Sequence, residues 1–166
     1  EIHDNGQSID LQPGVIGAHA NHKLQAYGRK IGPDPASINA AMIGGIAANN
    51  ASGMCCGTTQ NSYETLASMR IIFPDGTLLD TSDEDARKRF CESHAQLIEH
   101  IDRIKKQITS STHLTKLIRK RYRIKNTTGY GLNAFLDFSD PIDIIQHLLI
   151  GSEGTLGFIA KIGFNP

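Results

Sequence analysis

The sequence predicts a mixed fold in which strands and helices both occur along a chain of 166 residues. Two patterns indicate strands: a Pro74-Asp75-Gly76 turn between apolar runs, and a tail whose apolar residues occupy every second position. The third observation is helical spacing of apolar residues in four other segments. A chain of this length forms one domain with a single core.

Composition and charge are those of an ordinary globular domain. Hydrophobic residues make up 39% and charged residues 20%, and the formal net charge is zero. A neutral chain has no overall field that draws it onto nucleic acid or a membrane, and no apolar run is long enough for a transmembrane segment. Three cysteines, two of them adjacent, suit neither a disulfide framework nor a spaced zinc site. We therefore expect a cytoplasmic protein, with peripheral attachment to the inner membrane left open.

The first half of the chain opens with a strand and a helix. Residues 8–12 alternate polar and apolar side chains before a Pro-Gly pair, as a half-buried strand does. Residues 15–29 carry apolar side chains at helical spacing. His19 and His22 lie in this helix without a nearby carboxylate or cysteine, so we interpret them as solvated polar positions and predict no metal site. A β-hairpin follows at residues 66–79.

Helices dominate residues 82–151. Residues 82–108 form the clearest helix, with Ser82 as its predicted cap and acidic residues in its first turn. A second helix at 112–121 completes a helical-hairpin insertion over about residues 82–125. Asp140 caps a further helix that Gly151 ends. The apolar stripe of the long helix consists of Phe90, Leu97, Ile101, Ile104 and Ile108.

Two segments poor in side-chain bulk are the candidates for chemistry. In the first, Gly44 and Gly45 precede a short helical stretch, so bare amides at its start could hold a phosphate, unless the glycines serve only close packing. The second is GSEGTLGFI, residues 151–159, where a tight turn leads into a strand. We interpret Glu153 as a structural residue of that turn. The predicted tail strand places Leu156, Phe158, Ala160, Ile162 and Phe164 on one face.

Taken in order, GPDPAS, IGGIAANNASG, NTTGY and GSEGTLGFI resemble the FAD-binding domain of FAD-linked oxidases of the vanillyl-alcohol-oxidase-like superfamily. The resemblance covers nearly the whole chain and is greatest to large bacterial FAD- and iron–sulfur-containing dehydrogenases of D-2-hydroxyglutarate or D-lactate. It implies an α+β fold with an antiparallel sheet flanked by helices. It also implies FAD contacts at Pro33, Ser37, Ile43, Gly44, Gly45, Asn49, Asn50, Ser52, Gly53, Glu153, Gly154, Gly157 and Ile159.

Departures from the family pattern limit these expectations. Thr59-Gln60-Asn61 stands where many relatives have Arg-Tyr-Gly, which puts a flavin contact there in doubt. The resemblance further implies an N-terminal phosphate-loop subdomain, a substrate-binding cap domain and an iron–sulfur domain, all outside residues 1–166. With half of the phosphate cradle outside the chain, we expect residues 1–166 to bind FAD weakly or not at all and to be inactive alone.

The family reaction is hydride transfer from a D-2-hydroxy acid to the flavin, with substrate and base held by the cap domain. The resemblance therefore assigns no catalytic residue here, and we interpret Tyr130 and His94 as structural. It leaves open the hydroxy acid, the electron acceptor and the oligomeric state.

Two alternatives remain. The same cofactor fold serves sugar-lactone oxidases and cell-wall precursor reductases. A non-catalytic interaction module could instead use a basic run to grip nucleic acid, although we favour a solvated helix end and no nucleic-acid partner. That run consists of Arg119, Lys120, Arg121, Arg123 and Lys125, with Tyr122 inside it.

Overall fold

A computed structural model describes all of residues 1–166 as an α+β fold, which confirms the expected class. The strands are β1 (Ile2–His3), β2 (Ser8–Leu11), β3 (Leu66–Ile72), β4 (Leu78–Asp80) and β5 (Phe158–Phe164). They form one sheet in the order β1-β2-β5-β3-β4, and every neighbouring pair is antiparallel. The last strand of the chain is therefore the middle strand of the sheet.

Eight helices accompany the sheet. They are α1 (Gly17–Leu24), α2 (Ile43–Asn49), α3 (Ser62–Thr65), α4 (Glu84–Ser93), α5 (Ala95–Ser110), α6 (Thr112–Arg121), α7 (Ala134–Asp137) and α8 (Pro141–Leu149). A single cluster of 28 buried residues joins strands and helices, including those of the predicted insertion. The insertion is therefore part of the same domain. None of the helices has the length and apolar character needed to span a membrane.

The predicted long helix is wrong in two respects. Asp83, not Ser82, caps it, because the Asp83 carboxylate accepts from the amides of Asp85 and Ala86. The helix also breaks at His94, which separates α4 from α5. The His94 ring stacks on Phe90 with centroids 4.2 Å apart and its Nε2 lies 2.9 Å from an Asp75 carboxylate oxygen. The contact with Asp75 in the hairpin turn, together with the stacking on Phe90 of α4, holds His94 outside helical geometry.

The other two helices of this region match their predictions. Ser111 accepts from the Leu114 amide and begins α6 at Thr112. Asp140 accepts from the amides of Ile142 and Asp143 and begins α8, whose residues from Ile144 onward are all buried. A strong local cap fixes each start.

The strict alternation predicted for the tail strand is wrong at its N-terminal end. Phe158 is 60% exposed, whereas Ile159 is buried. A β-bulge explains the change of face: Arg70 pairs with Lys161 and the next residue, Ile71, pairs with Ile159, so Ala160 is the extra residue. Beyond the bulge, Ile162 and Phe164 face the core as expected.

Candidate functional site

The two segments that lack side-chain bulk meet at the C-terminal end of α2. The amides of Gly151 and Glu153 donate to the carbonyls of Ala47 and Ala48, at 3.1 and 2.8 Å. Asn49 Nδ2 also donates to Glu153 Oε1 at 2.6 Å. Glu153 therefore has a structural role, since it ties its turn to α2, as the sequence interpretation proposed.

Backbone conformation at this junction is unusual. Asn50 (φ 49°) and Glu153 (φ 53°) both adopt the left-handed conformation, which costs most non-glycine residues about 1–2 kcal/mol. Asn50 ends α2 there, and Asn tolerates this conformation better than most residues. Glu153 has no such preference, so its contacts with α2 hold it in place.

The start of α2 leaves one amide without a protein partner. Ile43 and Gly44 donate to the carbonyls of Val15 and Pro13, at 2.8 and 2.9 Å, and Ile46 donates to Met42 at 2.9 Å. Gly45 alone among these first residues has no such bond. The sequence predicted several free amides at the start of α2, and the structure leaves one, that of Gly45.

Packing requires glycine at only one position of the Gly-Gly pair. A methyl group on Gly44 would approach Pro13 Cβ to 2.8 Å, so close packing explains that glycine. A methyl group on Gly45 would meet no atom within 4 Å, and its φ is not positive. Nothing within the protein therefore requires glycine at Gly45, and open space lies beside its free amide.

The segment around α2 contains both buried and exposed candidate residues. Ser37 is exposed, whereas Pro33 and Ile43 are buried, so any contact of the latter two with a ligand would involve little surface. Gly53 is only partly exposed and is required for packing, because a methyl group there would lie 1.8 Å from the Asp34 carbonyl oxygen. Ser52 is buried as well.

Unsatisfied oxygens lie beside the same junction. Asn50 Oδ1 and Ser52 Oγ are enclosed by protein and have no hydrogen-bond partner. An unmade hydrogen bond of a buried polar group costs about 1–3 kcal/mol. Such groups are expected where a further polar partner completes the structure.

The second segment offers main-chain groups along an open strand edge. β2 pairs only with Ile162–Phe164 of β5, so the edge of β5 from Phe158 to Lys161 has no strand on that side. Gly154 is exposed and has a positive φ of 74°, which the turn requires. A methyl group on Gly157 would lie 3.1 Å from Ile71 Cγ2, so packing explains this glycine, and the side chain of Ile159 is buried.

These groups fit a dinucleotide such as FAD in kind. A free amide with open space, unsatisfied oxygens and an open strand edge supply hydrogen bonds without bulky side chains, as phosphate and flavin recognition require. α2 and β5 are in contact, which puts both segments in one region. The junction lies at the C-terminal end of α2, however, and Gly45 lies nearer to its other end.

A second polar cluster, around Tyr63, escaped the sequence interpretation. The Tyr63 hydroxyl donates to Asp137 Oδ2 at 2.8 Å, and the same oxygen accepts from Asn133 Nδ2 at 3.0 Å. Arg119 also pairs with Asp137. The His147 ring lies between Phe138, stacked at 3.9 Å, and the edge of Tyr63 at 4.9 Å. No local sequence motif predicts this cluster, because its members come from four separate helices or from the caps of those helices.

Burial perturbs the ionisation of this Tyr63 cluster. Burial and the bond to Asp137 raise the pKa of Tyr63 well above its usual range, and burial lowers the pKa of His147. Burial and the charge of Asp137 raise the pKa of Glu64. These residues line a cavity of about 770 Å³. His147 Nδ1 lies 2.7 Å from the Asp143 carbonyl oxygen, as donor, so the neutral ring keeps Nε2 as acceptor.

The basic run is not a uniform cationic face. Arg119 pairs with Asp137, and Lys125 donates to the Ser52 carbonyl. Lys120, Arg121 and Arg123 remain exposed. Two of the five cations are thus engaged within the protein, which weakens the nucleic-acid alternative.

Comparison with known proteins finds a family model and several sequence relatives that are similar to this chain. Residues 1–82 match the family model of a FAD binding domain. The D-2-hydroxyglutarate dehydrogenase of Pantoea ananatis (strain AJ13355) is 28% identical over 165 residues, which cover 97% of this chain and 16% of that protein. The mitochondrial D-lactate dehydrogenase [cytochrome] 1 of Saccharomyces cerevisiae is 27% identical over 153 residues, covering 92% of this chain and 17% of the yeast protein. The chain thus spans about a sixth of these relatives.

Solved structures agree on the fold. Two crystal forms of an alkyldihydroxyacetonephosphate synthase match 99% of this chain, with TM-scores of 0.53 and 0.52 and 17% sequence identity. This chain covers 20% and 19% of those proteins. These structures confirm the expected fold, and the family model and the sequence relatives confirm the resemblance to FAD-linked oxidoreductases.

Proposed function

From its resemblance to the FAD binding domains of FAD-linked oxidoreductases, we propose that this chain is the FAD-binding portion of a dehydrogenase for D-2-hydroxy acids, such as D-2-hydroxyglutarate or D-lactate. The relatives that match nearly the whole chain carry these two names. The synthase of the same fold has another name, so the choice of reaction rests on the sequence relatives.

The observation that carries the proposal is the junction of α2 with residues 151–154. The oxygens Asn50 Oδ1 and Ser52 Oγ have no partner there, and Glu153 holds the turn against α2. The free Gly45 amide, beside open space, lies toward the other end of the same helix. When bound, FAD would supply the hydride acceptor. The chain's own contribution is to bind and orient the dinucleotide through main-chain groups, and no residue of the chain is assigned a proton transfer.

The proposal extends to a longer protein. As the resemblance implies, a phosphate-loop subdomain, a cap domain that holds substrate and an iron–sulfur domain would complete the enzyme, which would reside in the cytoplasm. Residues 1–166 alone are expected to bind FAD weakly or not at all.

Amide spectra of the ¹⁵N-labelled chain during titration with FAD test the site. The shifts are expected to concentrate in residues 44–53 and 151–159, with a Kd weaker than micromolar. Riboflavin and ADP in parallel titrations separate the flavin end from the phosphate end. Shifts confined to other regions would contradict the site, and a submicromolar Kd would contradict the expected weakness.

A matched pair of variants sharpens the test. Gly45→Val fills the open space beside the free amide and is expected to abolish the FAD-dependent shifts. Gly14→Val is the control, because a methyl group on Gly14 also meets no atom within 4 Å and Gly14 lies outside the proposed site. Equal responses of the two variants would remove Gly45 from the site.

A further inference from the structure

One loop contacts both candidate cofactor segments. We define the strap as residues 122–132, which form all but the last residue of the connection between α6 and α7. Near its start, Lys125 Nζ donates to the carbonyl of Ser52, three residues beyond α2. Near its end, the Tyr130 hydroxyl lies 2.9 Å from Thr155 Oγ1, in the turn before β5. The strap thus bridges two segments that are about a hundred residues apart in sequence.

The direction of the second hydrogen bond follows from its neighbours. The Thr155 hydroxyl donates its proton to the Ser152 carbonyl at 2.6 Å. Because a threonine hydroxyl has one proton, Tyr130 is the donor to Thr155. Each segment therefore receives a hydrogen bond from the strap.

The strap is held in shape by its own contacts. The Tyr122 hydroxyl donates to the Tyr130 carbonyl at 2.7 Å and accepts from the Leu132 amide at 3.0 Å. Gly129 has a positive φ of 74°. Its carbonyl oxygen lies 3.8 Å from the position that a methyl group on Gly151 would occupy, so the strap lies directly over the junction.

The strap and Asn50 also line a common cavity. A small cavity of about 40 Å³ is lined by Asn50, Lys125, Gly129 and Gly151, among others. Asn50 Oδ1 has no partner there, and neither has Ser52 Oγ next to the carbonyl that Lys125 holds. The strap therefore fixes the local geometry without completing the hydrogen bonding of the segment.

We propose that the strap holds the two FAD-binding segments in register, with Lys125 and Tyr130 as positioning residues for the cofactor. The inference rests on the proposed function for the identity of the cofactor. It gives the helical insertion a role, because α6 places Lys125 and the insertion is joined to the cofactor segments by this loop.

Amide hydrogen exchange of the full chain tests the strap without cofactor. Lys125→Met is expected to accelerate exchange in residues 50–54 by about fivefold, the loss of roughly one hydrogen bond. Lys120→Met, which removes an exposed lysine of the same hairpin, is the control and should change nothing there. Tyr130→Phe should accelerate exchange around Thr155, and Tyr27→Phe is its control, because Tyr27 is equally exposed (45% against 44%).

FAD titration of the same variants tests positioning. Lys125→Met is expected to raise the Kd for FAD about fivefold, and Lys125→Arg, which keeps a donor in reach, should restore most of it. Faster exchange with unchanged FAD affinity would overturn the positioning role and leave the proposed function intact. If no form of the chain, wild type included, shows FAD-dependent shifts, exchange alone decides the strap: unchanged rates in Lys125→Met overturn it.

Discussion

The α2 junction and the Tyr63 cluster are built from different kinds of chemical groups. The junction is built mainly from main-chain groups and small side chains, and it leaves Asn50 Oδ1 and Ser52 Oγ without partners. The Tyr63 cluster is built from ionisable and aromatic side chains from separate elements. There, Asp137 accepts from Tyr63, Asn133 and Arg119, so its hydrogen-bonding capacity is nearly used.

Two features of these regions can indicate a functional site: perturbed pKa values and unpartnered hydrogen-bonding groups. Perturbed ionisation in a cavity ordinarily marks a functional site, and by that criterion Tyr63 and His147 would come first. Their perturbation comes mainly from burial, and it accompanies contacts that join α3, α7 and α8. The junction instead holds buried oxygens without hydrogen-bond partners, at Asn50 and Ser52. Unpartnered oxygens alone do not separate the two regions, because Ser62 Oγ and Asn133 Oδ1 beside Tyr63 are also buried without a partner. The junction is the binding region that we propose because it combines such oxygens with main-chain groups along an open strand edge.

The largest effect is expected at a glycine of the junction. Gly53→Ala would place a methyl group 1.8 Å from the Asp34 carbonyl oxygen, so the backbone must move, at a cost of about 3 kcal/mol or more. Gly45→Ala is the control: it has open space and helical geometry, and should raise stability by about 0.5–1 kcal/mol. Urea unfolding measures both. Equal stability of the two variants would refute the assignment of Gly53 to packing.

A somewhat smaller loss is expected in the Tyr63 cluster. Asp137→Ala removes the acceptor of the buried Tyr63 hydroxyl and of Asn133 Nδ2, which should destabilise the chain by about 2–3 kcal/mol. Asp85→Ala is the control, because Asp85 is exposed and pairs with Lys88 only at 3.9 Å. Thermal unfolding compares them. A loss no greater than that of the control would mean that the cluster does not stabilise the fold.

Local signals account for most of the elements that the sequence predicted. The caps at Ser111 and Asp140 and the Pro-Asp-Gly turn act within a few residues, so their helices and hairpin match. The break at His94 and the bulge at Ala160 depend on contacts with the hairpin turn and with β3. Such contacts leave no trace in a local pattern.

The sequence predicted only part of the candidate site, because distant contacts are not visible in a local pattern there either. Clusters of small residues are visible in the sequence, and they led to the two segments that the fold brings together at α2. Which glycine serves packing and which leaves space depends on the distant carbonyls and side chains that each faces. Lys125 was visible only as one cation in a basic run, because its carbonyl partner lies 73 residues away.

Acid is expected to act on the Tyr63 cluster through His147. Burial lowers the pKa of His147 below its usual 6.5, so the unfolded chain binds the proton more readily than the folded one. The stability contribution of the neutral ring is complete above pH 6.5 and falls as the pH drops toward the folded pKa. In His147→Gln this part of the pH dependence should disappear, whereas exposed His100→Gln should retain it. Urea midpoints between pH 7 and pH 5 provide the measurement, and parallel curves for wild type and His147→Gln would contradict it.

The smallest effect on stability, and the sharpest test of the contrast, is expected from Asn49→Ala. The variant loses an exposed hydrogen bond to Glu153, but alanine favours the helix, so the net change should stay below about 1 kcal/mol. The same change should nevertheless reduce the FAD-dependent amide shifts, because the Glu153 side chain is no longer held by α2. Asn39→Ala, an exposed position with no side-chain hydrogen bond, should alter neither quantity. A destabilisation as large as that of Asp137→Ala would show that side chains hold the junction together too, and the distinction between the two regions would then be lost.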